Sequence, residues 1–178
     1  MYNKVLKFWF EELSPQQWWG KDNELDKRIQ EMFEGIHQQA SQCELYGWRN
    51  SAKGRLAEII VLDQFSRNMY RDTPQSFAQD SLALALSQQA IVDGADKELN
   101  TIERSFLYMP FMHSESLIIH QQACVLYKAN GIDSNYQFEL KHLEIIEKFG
   151  RYPHRNKILN RQSSAEETKF LSQPNSSF

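Results

Sequence analysis

The stretch Asn23-Glu-Leu-Asp-Lys-Arg-Ile-Gln-Glu-Met-Phe-Glu-Gly-Ile-His-Gln-Gln-Ala40 places its apolar residues at Leu25, Ile29, Met32, Phe33, Ile36 and Ala40. They recur every three or four residues, the period of an α-helix that buries one face. Asp22, just before the stripe, is suited to cap it, because a short carboxylate can accept the unpaired N–H groups of a first turn. The same period continues on both sides. Upstream, Val5, Leu6, Trp9, Phe10 and Leu13 form a first helix that Ser14-Pro15 ends. Downstream, Ser51 caps a helix whose inner face is Leu56, Ile59, Ile60, Leu62 and Phe65. Thr73-Pro74 starts a fourth, running through Phe77, Leu82, Leu84, Leu86 and Ile91 to Gly94. Thr101 opens a fifth, interrupted at Pro110, and a sixth begins near Ser114 and stops before Gly131. Ser134 opens a seventh, which ends at Gly150 in the position where helices favour a left-handed glycine. Ser164-Ala165-Glu166-Glu167 is a capping box for a short last helix through Leu171.

No strand or hairpin pattern interrupts this series, so the expected class is all-α. Short turns favour antiparallel neighbours, which gives an irregular bundle of about seven to nine helices paired as hairpins. No fixed repeat period emerges. The expected organisation is one domain over residues 1–172 and a frayed tail over 173–178.

Composition narrows the function classes. The chain has 178 residues, 41% hydrophobic and 24% charged, the balance of a globular protein with a sizeable core. All four tryptophans, Trp9, Trp18, Trp19 and Trp48, fall in the first third, which predicts an aromatic core or lid there. A net charge of −3 and no basic stripe argue against nucleic acid as a partner. No apolar run approaches the roughly 20 residues that a membrane span needs. Cys43 and Cys124, with no secretory leader pattern after Met1, are expected as reduced thiols in a cytoplasmic protein.

Four polar stretches sit at helix ends. Leu62-Asp-Gln-Phe-Ser-Arg-Asn68 places Asp63 and Arg67 four apart, on one face. Glu103-Arg104 leads into an apolar run that must be buried, so its charges are expected to be paired. His113-Ser114-Glu115 follows Pro110 and offers a His/carboxylate pair able to orient a ligand or exchange a proton, or simply to satisfy the helix break. Phe149-Gly-Arg-Tyr-Pro-His-Arg-Asn156 fans Arg151, His154 and Arg155 from a rigid turn. Together they hold five cations (Arg67, Arg71, Arg104, Arg151, Arg155) against three carboxylates (Asp63, Glu103, Glu115). Such a surplus, if convergent, favours an anionic ligand.

Metal chemistry has one weak signal. Glu34-Gly-Ile-His37 and Glu139-Leu-Lys-His142 both fit Glu-x-x-His, and Glu58 and Glu115 could complete a di-iron bundle site. The motif is short, and Gly35 weakens its helix, so no metal and no cofactor are expected. Phosphate-binding glycine loops and the Gly-x-Ser-x-Gly elbow are absent.

The segments LDQFSRNMYR, ERSFLYMPFMHSE and FGRYPHRN, with the early KFWF and the WW before Gly20, resemble the signature of a bacterial family, domain of unknown function 924. The resemblance runs from about Val5 to Leu171 and implies an all-helical, tetratricopeptide-like fold without an assigned activity. The family pattern falls on Asp63, Gln64, Arg67 and Asn68, then on Arg104, His113, Ser114 and Glu115. It continues on His142 and on Phe149, Gly150, Arg151, Pro153, His154, Arg155 and Asn156, while Ser66 stands where a proline is expected.

Two functions are therefore expected as alternatives. One is a pocket for a small anionic or polyhydroxyl molecule, bound by Asp63, Gln64, Arg67, Asn68, Arg104, Arg151, Arg155 and Asn156. His113, Glu115 and His154 are its candidate acid/base groups. The other is a tetratricopeptide-like scaffold for a protein or peptide partner, with the polar clusters serving as inter-helix ion pairs.

Overall fold

Side-chain caps set the helix boundaries in this computed structural model, which describes residues 1–174 and 176. Asp22 accepts the N–H groups of Glu24 and Leu25 at 2.9 and 3.1 Å, and Ser51 accepts that of Gly54 at 3.1 Å. The helices are α1 (Tyr2–Lys7), α2 (Pro15–Trp19), α3 (Asn23–Ser41), α4 (Ala52–Ile60), α5 (Ser66–Met69) and α6 (Asp80–Val92). After them come α7 (Thr101–Met112), α8 (Leu117–Asn130), α9 (Asp133–Phe149) and α10 (Ala165–Leu171). No strand occurs among the described residues. Two wide π turns, Phe8–Glu12 after α1 and Val61–Phe65 between α4 and α5, shift the helical register within otherwise continuous helices.

Three boundaries differ from those read in the sequence. Pro15 does not merely stop a helix: it is the first residue of α2, which Ser14 and Gln17 cap reciprocally. The stretch from Thr73 to Gly94 is two elements, a tight 3₁₀ turn over Pro74–Phe77 and then α6. Pro110 does not interrupt α7, which runs on to Met112 with the whole Ser105–Met112 segment buried. Burial on every side holds this turn together where propensity alone would break it. The tail expected to be frayed includes Asn175, Ser177 and Phe178, which lie outside the described residues. Ser176 is buried and donates to the Leu171 carbonyl at 3.2 Å.

The core is aromatic near the N-terminus, as the tryptophan distribution predicts. Phe8, Phe33 and Phe65 meet at 4.8–6.1 Å between ring centroids. Trp9 and Trp18 both pack edge-on against Phe106, at 5.6 and 5.0 Å. Trp48 lies apart from this group and packs on Tyr2. At Gly54 the chain passes so close to Trp48 that a Cβ would lie 2.0 Å from its carbonyl oxygen, so only glycine fits. A smaller cluster of Ile145, Ile146 and Tyr152, with Phe149 and Phe170, ties the end of α9 to α10. The helices α7, α8 and α9 pack successively on one another. None of the described helices is long and apolar enough to cross a membrane.

Candidate functional site

The π turn Val61–Phe65 carries Asp63 and Gln64 into the interior and leads directly into α5, where Arg67 sits one turn on. Asp63 is 1% exposed. Its Oδ1 accepts from His113 Nδ1 at 2.7 Å and lies 3.1 Å from Arg67 Nη1, while Oδ2 accepts from Gln64 Nε2 at 2.5 Å. Arg67 forks onto both oxygens of Asp80, at 3.0 and 3.1 Å. Asp80, the first residue of α6, also accepts from Arg155 Nη1 at 3.4 Å. Arg155 closes the ring by donating Nη2 to the His113 carbonyl at 3.0 Å. Its guanidinium lies over the rings of Phe77 and Tyr152, at 4.6 and 4.5 Å, which stabilises a buried cation.

The electrostatics fix the protons. Burial alone would push the Asp63 carboxyl up, but Arg67 and His113 outweigh it and hold the group well below the usual carboxylate range. Burial, then the positive charge of Arg67, hold His113 below the ordinary imidazole value against the pull of Asp63. An ionised Asp63 only accepts, so a neutral His113 must carry its proton on Nδ1. Nε2 is then a bare lone pair. It makes no hydrogen bond among the described residues, and the side chain is 14% exposed.

Behind this ring lies a buried polar layer. The Tyr152 hydroxyl donates to the Met112 carbonyl at 2.5 Å and lies 3.1 Å from His120 Nε2. His120 and Glu139 are fully buried, with Nδ1 and Oε1 2.7 Å apart, and His120 Nε2 is 2.8 Å from the Ser114 carbonyl. The carbonyl can only accept, so Nε2 holds a proton. A second proton must then lie between Nδ1 and the carboxyl, whose affinity for it burial raises.

Of the residues nominated from the sequence, Asp63, Gln64, Arg67, His113 and Arg155 converge. The others are placed elsewhere. Arg104 Nε and Nη2 donate to the carbonyls of Asp96 and Leu99, both at 2.8 Å, and so join the loop before α7 to that helix. Arg151 forks onto Glu167 at 2.7 and 2.8 Å and anchors α10. Asn68 joins Arg71 on Asp26, at 2.6–2.8 Å. Asn156 is buried and donates to Ser163 Oγ at 3.1 Å. Glu115 is clasped by Arg161 at 2.6 and 2.9 Å and receives the Tyr152 N–H at 2.8 Å. His154 is held down to about 4 by burial and then by Arg155.

Sequence reasoning missed Asp80, Asp26, Glu167, Arg161 and His120. Asp80 belongs to none of the four polar stretches, and its partners lie 13 and 75 residues away. These partners also cancel the cation surplus counted from motifs. In the ring itself two arginines face two aspartates. The groups of the di-iron reading do not converge either. Glu139 pairs with His120, Glu58 with Arg49, Glu115 with Arg161, and His37 with the Ser66 hydroxyl.

Comparison with known proteins relates the chain to a described family and to a solved structure. Residues 5–175 match a family described as "Bacterial protein of unknown function (DUF924)". A solved structure of a protein of unknown function from Agrobacterium tumefaciens is 36% identical, with a TM-score of 0.92 over 96% of each chain. A search of curated proteins gives no match. The chain belongs to this family of bacterial proteins of unknown function.

Proposed function

We propose that this member of the family binds a small polar molecule carrying both an oxyanion and a hydroxyl, at the Asp63–His113–Arg67–Asp80–Arg155 ring. One observation carries the reading: Asp63 fixes His113, whose side chain is 14% exposed, as the tautomer whose Nε2 lone pair makes no hydrogen bond among the described residues. A hydroxyl is the natural donor to that lone pair. The neighbouring arginines supply charge-assisted donors for the oxyanion, which a planar guanidinium recognises well. With the ring electrically balanced, the ligand's anion is drawn by directed donors more than by net field.

Asparagine at position 113 separates binding from folding, because its amide can still donate to Asp63 but it has no counterpart of Nε2. Thermal melts with a panel of phosphate monoesters and hydroxy acids should show wild type stabilised by at least one compound. His113→Asn should fold normally and lose that shift. A panel without any stabilising compound, or an unchanged shift in His113→Asn, sinks the proposal.

The balance of two arginines against two aspartates favours a second reading, in which the ring is a staple joining the π turn, α6 and the 153–155 turn. Under that reading, removing either partner destabilises and no ligand changes the melt.

A further inference from the structure

A polar concavity of about 550 Å³ lies between α3 and the 70–79 segment, apart from the ring. His37 lines it, yet this residue is only 6% exposed. Its Nε2 is 2.7 Å from Ser66 Oγ, and the Ser66 hydroxyl donates its own proton to the Leu62 carbonyl at 2.6 Å. With that proton committed, Ser66 has only lone pairs to offer, so His37 Nε2 must be the donor. Burial keeps the ring neutral. The lone pair is therefore on Nδ1, which makes no hydrogen bond among the described residues. Ser66 thus does for His37 what Asp63 does for His113: it fixes one tautomer and leaves a directed acceptor.

The rest of the lining is chemically uniform. Tyr70 and the amides of Gln38, Gln75 and Gln79 line the hollow, and none of these side chains hydrogen-bonds to another described residue. Glu34 is its one charged group, and no lysine or arginine lines it. Gly35 sits on the same wall, in mid-helix, where glycine weakens a helix relative to alanine. Packing does not require it, since a Cβ there would meet nothing within 4 Å. What glycine gains at this position is space in the hollow.

We propose that this hollow binds a small uncharged polyhydroxyl molecule, with a hydroxyl donating to His37 Nδ1 and the glutamine amides and Tyr70 hydroxyl engaging the others. A polyol both donates and accepts, as the amides do. The absence of lining cations disfavours an anion, and Tyr70 adds an aromatic ring to the wall.

The test uses the whole chain and a panel of monosaccharides and sugar alcohols at millimolar concentration, followed by amide chemical shifts and thermal melts. Wild type should respond to at least one compound, with shifts centred on residues 34–38 and 70–79. Gly35→Phe fills the hollow from an exposed helical position and should fold as wild type while weakening binding about tenfold or more. His37→Phe removes the lone pair and should do the same, if circular dichroism shows it folded. The proposal is overturned if wild type responds to no compound, or if Gly35→Phe binds as wild type does. It also fails if the shifts centre on residues 63–67 and 113, the outcome that assigns the polyol to the ring instead.

Discussion

Arg151 and Arg155 leave the same eight-residue turn, yet the structure uses them in opposite ways. Arg151 points outward onto Glu167, with a third of its side chain in solvent. Arg155 points inward, 7% exposed, between two aromatic rings and against Asp80. Both are arginines paired to a carboxylate, so chemistry alone does not separate them. Their surroundings do. Water reaches the outer pair from the Arg151 side, although Glu167 itself is buried, whereas the inner pair has no substitute for a lost charge.

This contrast can be broken most forcefully with acid. The inner region holds His142 down to about 3 and His154 to about 4, both chiefly by burial. An imidazole with a depressed folded pKa binds its proton more readily when unfolded. Its contribution is therefore complete above the unfolded value near 6.5 and is lost as the pH falls towards the folded value. By pH 4 the loss is on the order of 3 kcal/mol per ring, so urea midpoints should drop steeply between pH 6.5 and 4. A flat profile there would mean that both rings are solvated in the native state.

Deleting one inner charge comes next. Asp63→Ala leaves the His113 Nδ1–H and the Gln64 amide without their buried acceptor and takes one of Arg67's two carboxylate partners, and should cost about 3–5 kcal/mol in chemical denaturation. Tyr152→Phe removes only the hydroxyl that serves the Met112 carbonyl. It should cost about 1–3 kcal/mol, the range for leaving a buried acceptor unsatisfied. Arg151→Ala tests the outer end of the comparison: it should cost clearly less than Asp63→Ala, because water reaches this pair from the Arg151 side, and added salt should shrink the cost. If Arg151→Ala proved as damaging as Asp63→Ala, the division into inner and outer regions would be wrong.

Local features of the fold were legible because they are local in origin. The caps at Asp22 and Ser51, the box at Ser164–Glu167 and the left-handed Gly150 each depend on residues within one turn of one another. Pro110 misled because burial along α7 outweighed its helix-breaking tendency, and burial is a property of the assembled fold. The candidate site divides along the same line. Asp63 and Arg67 are four apart and could be paired by inspection. Asp80, which joins the two arginines, shares no motif with either, and no helical period relates residues 80 and 155. Arg104 and Arg151 looked equivalent to Arg67 because the sequence displays charge but not the carbonyls and carboxylates that satisfy it.

The π turn between α4 and α5 also makes a statement about ancestry. Such a turn is what remains when one extra residue enters an existing α-helix, since the surplus bulges and the helix resumes. Each residue of an α-helix turns the chain by about 100°. Excising one position from Val61–Phe65 would make a more regular helix, yet it would rotate Ser66 and Arg67 away from His37 and Asp80 together. Within this lineage the segment should therefore keep its length even where its residues drift, and a one-residue gap there would mark a relative that has lost the His37–Ser66 and Arg67–Asp80 contacts at once.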